Sequence, residues 1–517
     1  MEINDQKYIS ESFTDLFYDF EELSYLVKSN LFLLEKFTSQ FTAIKKEIRS
    51  QTFQELKDTI QFIKSKYEKY SQGINSLRNE ITKHPQSCEL LSCLTDQKNI
   101  YLDLIRTNQG IFGSLLTSAD WQSPSFIHSL YSCAGAQTGK IKGTINDYKR
   151  DVNLDEQEFE KQYLAEYIDA HLKLGVNVFM VSSGMAAFTT IFNFLLAEGK
   201  ISGKVIMGKS CYFQYKQLLV KNLENRIIEV DEFQTDAIFK IITQEKPSVI
   251  FLDSLCNAKD LPVPDLETII DYLIKNTKTD TYLVVDNTGL SVSFQPFKKI
   301  FGLPKKVHLI LFESLMKYIH LGLDRATGGI IAAYGKDTRK IFEYRKNLGT
   351  NIQDCSVYAF PIPKRNLLER RLERYQRNAF LLANSLQQYI TCHRNCPIEK
   401  IIYPGLPGYP GFNWTQNLLF WGSFFNLEFK KKNTRLYKRF IYTVINEAKR
   451  KKIDIAGGTS FGLNTTRVYL TSLWTKYGEP FIRISAGTEN RYQLEILKEV
   501  FKSAIDKIDK SSFLHIK

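Results

Sequence analysis

The sequence predicts an α/β protein: a mostly parallel sheet sandwiched by helices, preceded by a helical region and followed by an α+β domain. Three observations carry this. Between about residues 155 and 364, short apolar strands (VNVFMV, KVIMG, RIIEV, SVIFLDS, TYLVVDN, VHLILFES) alternate with helical patterns. Strands apolar on both faces belong in a parallel sheet covered by helices. Residues 10–110 instead place apolar side chains at intervals of three and four: Leu16, Phe20, Leu23, Val27, Leu31 and Leu34, then Phe53, Leu56, Ile60 and Ile63. From residue 365 a long helical pattern, LLERRLERYQRNAFLLANSLQQYI, runs into a Pro/Gly loop. A strand (NLLFWGSFFNLEF), a helix over 434–450, a strand near FIRIS and a terminal helix follow.

These patterns divide the chain into a helical extension (1–110), a linker or arm (111–154), a major α/β domain (155–364) and a C-terminal α+β domain (365–517). The first helices are apolar on one side only, so their stripe must be covered, most simply in a hairpin or small bundle. It can pack on the rest of the chain or on a second subunit. The arm is assigned from SCAGAQTGKIKGT, where small residues accumulate and the helical period disappears.

Composition narrows the function. With 517 residues, 43% of them hydrophobic and including 36 Phe and 27 Tyr, the chain has ample material for a core, which excludes disorder. No apolar run approaches the roughly 18 residues of a membrane span, and MEINDQKYISESF does not read as a secretory signal. Eight cysteines without a CxxC pair suggest neither a metal site nor a disulfide framework; a cytoplasmic protein with reduced thiols is expected. The net charge of +13 is spread along the chain, and clusters such as Lys430–Lys432 and Lys449–Lys452 sit in amphipathic contexts. No nucleic-acid or membrane partner is expected, whereas anionic small molecules suit the balance.

Polar residues at three strand ends carry the chemistry, since ligands of open α/β sheets bind beyond the carboxyl ends of strands. Ser182–Ala187 (SSGMAA) is a small-residue turn opening a helix, either a plain turn or a phosphate site at a helix N-terminus. Asp286 closes the apolar run YLVV, either as a turn or capping residue or as a buried, partnered carboxylate. Lys317, in LILFESLMKY, is either a snorkelling lysine or a desolvated, nucleophilic amine. In this order the three suit pyridoxal 5'-phosphate: the phosphate on the helix terminus, Asp286 keeping the pyridine nitrogen protonated, and Lys317 forming the Schiff base.

Here the chain resembles the Cys/Met-metabolism pyridoxal-phosphate enzymes, among them cystathionine γ-synthase, cystathionine γ-lyase and methionine γ-lyase, of fold type I. The likeness covers roughly residues 140–505. It implies that Gly184 and Met185 offer their amides to the phosphate, that Tyr212 stacks on the ring and assists proton movement (with Tyr215 competing for the place), and that Asn257 bonds the phenolic oxygen. It further implies that Ser314 and Lys317 belong to the SLMK segment and that Arg483, with Ser460 beside it, binds the substrate's α-carboxylate. Tyr148 and Arg150 of YKRDVN would reach a neighbouring subunit's phosphate, which implies at least a homodimer and, by the family's habit, a homotetramer. The implied activity is elimination at Cβ or Cγ of an L-amino acid, or γ-replacement. Transamination, racemisation, decarboxylation or an inactive interaction protein are the alternatives. Met316 stands where the family has a threonine, HLGLD replaces the usual GGHSD, and Leu255 and Ala258 replace two prolines.

Overall fold

The computed structural model describes residues 6–43, 50–83, 86–120, 154–169, 175–300, 302, 306–393, 396–471 and 479–512. Three long helices come first: α1 (Gln6–Ala43), α2 (Ser50–Lys83) and α3 (Cys88–Asp120). Leu16, Phe20, Leu23, Val27 and Leu34 of α1 are buried, as are Ile60, Ile63 and Ile74 of α2 and Leu94, Ile105 and Phe112 of α3. The predicted stripe is thus covered inside a three-helix unit of the same chain, and its core continues into one face of the large sheet. α3 runs on past residue 110 through Gly110 and Gly113, which resembled linker glycines. A Cβ on Gly113 would lie 2.2 Å from the Cys355 carbonyl oxygen, so this glycine marks a close helix approach instead.

The central unit is built from α4 (Leu154–Tyr167), β1 (Asn177–Val181), α5 (Gly184–Ala197), β2 (Val205–Gly208), α6 (Phe213–Leu223), β3 (Ile227–Val230), α7 (Thr235–Glu245), β4 (Val249–Asp253), α8 (Leu266–Asn276), β5 (Thr281–Asp286), β6 (Val307–Ser314) and β7 (Gly329–Tyr334). The seven strands are ordered β1-β7-β6-β5-β4-β2-β3. Neighbours from β3 through β6 are parallel, while β7 lies antiparallel to both β6 and β1. Alternate strand residues feed two cores. Ile250, Leu252, Leu283, Val285, Leu309 and Leu311 face one way, while Val249, Phe251, Tyr282, Val284, Ile310 and Phe312 face the other. Such side chains stabilise by about 1.5–3 kcal/mol each when fully buried. β7 adds to the expected strands: no helix separates it from β6, so the α/β spacing does not flag it.

α9 (Ile341–Leu348), α10 (Asp354–Ala359) and α11 (Arg365–Cys392) lead to β8 (Ile398–Ile402), β9 (Phe424–Phe429), α12 (Thr434–Arg450), β10 (Arg467–Thr471), β11 (Phe481–Ser485) and α13 (Arg491–Ser512). The second sheet, β10-β11-β9-β8, is antiparallel. Its core includes Leu382 and Leu386 of α11, Phe440 and Val444 of α12, and Leu497 and Phe501 of α13. The strand expected over NLLFWGSFFNLEF starts only at Phe424, after Gly422 turns the backbone to φ +87°. Among the described residues no helix is long and apolar enough to cross a membrane.

Candidate active site

The register brings the polar strand ends to one edge. Asp253 pairs with Asp286, Asp286 with Phe312, and both Ser314 and Val181 with Gly329. β1 therefore delivers Ser182 and Ser183 to the same edge. Ser183 caps α5, accepting the Ala186 N–H at 3.0 Å through Oγ. A Cβ on Gly184 would lie 2.9 Å from Ser314 Cβ, so only glycine lets the first turn of α5 approach β6 this closely. The Gly184 and Met185 N–H groups precede the helix's own hydrogen bonding and point from its positive end.

Asp286 is half-buried, and its Oδ1 accepts the Thr288 N–H at 3.0 Å. Burial pushes its carboxyl up to about 6, with Thr288 and Lys317 opposing. Beside it stands Asp253, overlooked in the sequence although VIFLD carries the same signature as YLVVD. Asp253 accepts the Tyr212 N–H at 3.0 Å and the Tyr215 hydroxyl at short range. This distinguishes the two tyrosines. Tyr215 is fully buried, its ring stacked 4.9 Å from Phe188 and its hydroxyl committed to Asp253. Tyr212 lies half-buried at the edge, its phenol pushed up by burial and by the Asp286 charge.

Lys317 follows β6 in a loop. Its Nζ donates to Ser460 Oγ at 2.7 Å and lies 5.1 Å from the centre of the Phe461 ring. Burial holds its amine down at about 8; Asp324 and Asp286 act to raise it, Arg467 and Arg483 to lower it. Ser460, which the family likeness sets beside Arg483, turns its hydroxyl to the lysine. Its backbone is left-handed (φ +84°), a conformation unusual outside glycine and more often found at functional sites.

Arg483, on β11, is 1% exposed. Its Nε donates to Asn426 Oδ1 at 2.9 Å and Nη2 to the Ala258 carbonyl at 3.3 Å, while Nη1 reaches Asn257 Oδ1 at short range. The guanidinium also lies 4.3 Å from the Phe424 ring centre. Among the described residues it forms no ion pair, and an unneutralised buried cation is costly. Asn257 thus keeps its amide N–H groups for another partner. Asn426, missed in the sequence, reads there as one more strand residue. Tyr148 and Arg150 lie outside the described residues.

Residues 118–447 match the family described as Cys/Met metabolism PLP-dependent enzyme. The chain belongs to this family. It is 24% identical over 371 residues to the bifunctional enzyme flvA of Aspergillus flavus, covering 71% of this chain and 42% of that protein. It is 27% identical over 308 residues to cystathionine γ-lyase of Dictyostelium discoideum, covering 57% of this chain and 66% of the relative. The chain therefore spans less than two thirds of either relative. Cystathionine γ-synthase of Xanthomonas oryzae pv. oryzae has a similar fold, at TM-score 0.55 and 18% identity over 71% of this chain and 90% of that one. Cystathionine γ-lyase of Lactobacillus plantarum gives TM-score 0.55 and 20% identity over 71% and 91%.

The cofactor of this PLP-dependent family is pyridoxal phosphate, and the residues present fit it. A half-buried carboxyl with no ion pair among the described residues (Asp286), an amine lowered to about 8 (Lys317) and a helix terminus closed to any Cβ (Gly184) stand at one sheet edge.

The edge also holds a buried carboxyl that sequence reading passed over. Glu313, next to Ser314, accepts the Ser291 hydroxyl at 2.6 Å and the Tyr163 hydroxyl at 3.3 Å. Burial pushes it up to about 8. Its folded value lies above its unfolded one, so its contribution to stability is complete below the unfolded value and is lost as pH rises through about 8. Glu313→Gln, neutral at every pH, is expected to remove a fall of up to about 1.4 kcal/mol per pH unit across that window. Urea midpoints at pH 5, 6.5 and 8 would check this; a profile parallel to the parent's would contradict it.

Proposed function

We propose that the chain acts on an L-amino acid by β- or γ-elimination or by γ-replacement, chemistry of the transsulfuration type, with its cofactor held covalently by Lys317. The observation that carries this is the Lys317 amine, held down at about 8 by burial within a chain that matches the family. Pyridoxal phosphate, when bound, supplies an electron sink for the charge left as the α-carbon loses its proton.

The chain's residues supply the rest. Lys317, once released from the cofactor, takes the α-proton; for γ-chemistry the same amine moves a proton at Cβ. Asp286 keeps the ring nitrogen protonated. Gly184, Met185 and Ser314 hold the phosphate, Asn257 the phenolic oxygen, and Tyr212 covers the ring and assists proton movement. Arg483 takes the substrate's α-carboxylate in its fork; Ser460 orients the Lys317 amine.

Tyr148 and Arg150 complete a neighbouring subunit's phosphate site, making a homodimer the minimum and a homotetramer the expected assembly. Arg150→Ala should then lose cofactor at least tenfold faster on dialysis; unchanged retention would remove the in-trans assignment. The seven described cysteines are free, which suits a cytoplasmic protein.

The relatives' names direct the test to cystathionine, with methionine, cysteine and activated homoserine or serine esters added. Mass spectrometry should find ammonia with a keto acid, or a new side chain on the amino acid. An amino group transferred, a racemised or decarboxylated product, or no turnover at all would overturn the proposal.

A further inference from the structure

The hydrogen bond between Lys317 and Ser460 is made by two loops, one after β6 and one before β10. The loops meet twice. A Cβ on Gly462 (φ +77°) would lie 2.3 Å from the Lys317 carbonyl oxygen. A Cβ on Gly322 (φ +77°) would lie 2.2 Å from Asn464 Oδ1 and 2.5 Å from Arg371 Nη2. Both glycines are required by backbone angle and by space, so the loops are held as one body.

The helical region grips both loops. Arg106 of α3 donates from Nη2 to the Gly322 carbonyl at 2.9 Å, with Nη1 steadied by Asp103 at 3.0 Å. The Arg106 carbonyl in turn accepts Arg325 Nε at 3.0 Å. Glu22 of α1 accepts Arg371 Nη1 at 2.6 Å, and Arg371 passes on to Asn464 through Nη2 at short range. Arg371 is largely buried, where an ion pair holds its geometry firmly and losing one partner is costly. A seam of further pairs between α1 and α11 (Glu21–Arg370, Asp19–Arg374 and Asp15–Arg377) sets the register of the two helices.

We infer that the N-terminal helical unit is a positioning device for the active site, in which Arg106 and Glu22 hold the two loops so that Ser460 meets the Lys317 amine. The inference rests on reading Lys317 as the reactive amine. Neither Arg106 nor Glu22 touches the Gly184–Met185 terminus, Asp286 or Arg483, so both act through other residues. The charged groups around the amine are Asp286, Asp324, Arg467 and Arg483.

The test uses the full chain freed of cofactor. Limiting acetic anhydride is applied across pH 6–11, and peptide mass spectrometry gives the midpoint at which Lys317 becomes reactive. Arg106→Ala and Glu22→Gln should release the loops, admit water and raise that midpoint by about half a unit or more, roughly a twofold loss of neutral amine at pH 8. Arg106→Lys should recover part of the shift. Glu21→Gln, in the same seam but bonded to neither loop, should lower the melting temperature and leave the midpoint in place. If Arg106→Ala does not fold, Arg106→Lys and Glu22→Asp are read by the same criterion. An unmoved midpoint in folded Arg106 and Glu22 variants, or an equal shift in Glu21→Gln, would overturn the inference. No cofactor enters the measurement, so failure of the positioning role and failure of the proposed chemistry remain separable.

Discussion

Lys317→Ala is expected to abolish turnover of every amino acid the parent protein converts, by at least about 10³-fold, because in the proposed role one side chain both holds the cofactor and moves protons at the substrate. The loss should be chemical, not structural. Lys317 is kept near neutrality by burial and donates one hydrogen bond, to Ser460. Removing a desolvated amine costs the fold little, so the melting temperature should stay within a few degrees. The helix terminus at Gly184 and Met185, the Asp286 carboxyl and Arg483 all survive the substitution, so cofactor should still bind, reversibly. Turnover assays with absorbance spectra would check both parts. A variant keeping more than a tenth of parental turnover would contradict the role.

The second large effect is expected from Arg483→Lys. Lysine keeps the charge but loses the planar fork that bonds Asn426 and Asn257 and that matches a carboxylate with two parallel hydrogen bonds. kcat/KM should fall about 100-fold, equivalent to about 2.7 kcal/mol, with most of the change in KM, since the α-carboxylate is bound alike before and during reaction. The parent should also prefer an amino acid over the corresponding amine lacking the carboxylate, and the variant should lose that preference. Equal selectivity in parent and variant would place the substrate carboxylate elsewhere.

The fold was legible wherever one physical signal dominated. Strands buried on both faces announce themselves as unbroken apolar runs, and the stripe of α1 as a three-four spacing. β7 escaped because it follows β6 without a helix, and the end of α3 because Gly113 serves a close packing contact that resembles a linker in the sequence. Within the site, Ser182–Ala187, Asp286 and Lys317 carry local signals, each a polar group closing an apolar strand. Asp253 carries the same signal, but in the sequence the segment it opens, Asp253–Asn257, draws attention to Asn257 instead. What local patterns cannot hold is pairing across the chain. Lys317 and Ser460 are 143 residues apart, and Arg106 and Gly322 are 216 apart; only the folded loops bring them together.

The central claim is that Lys317 carries the cofactor. The most direct test is to purify the protein, saturate it with pyridoxal phosphate, reduce with borohydride and map the modified peptide by mass spectrometry. Visible absorbance from a covalently held cofactor and a single reduced adduct on Lys317 are expected. A colourless protein that stays unmodified, or an adduct on another lysine, would contradict it.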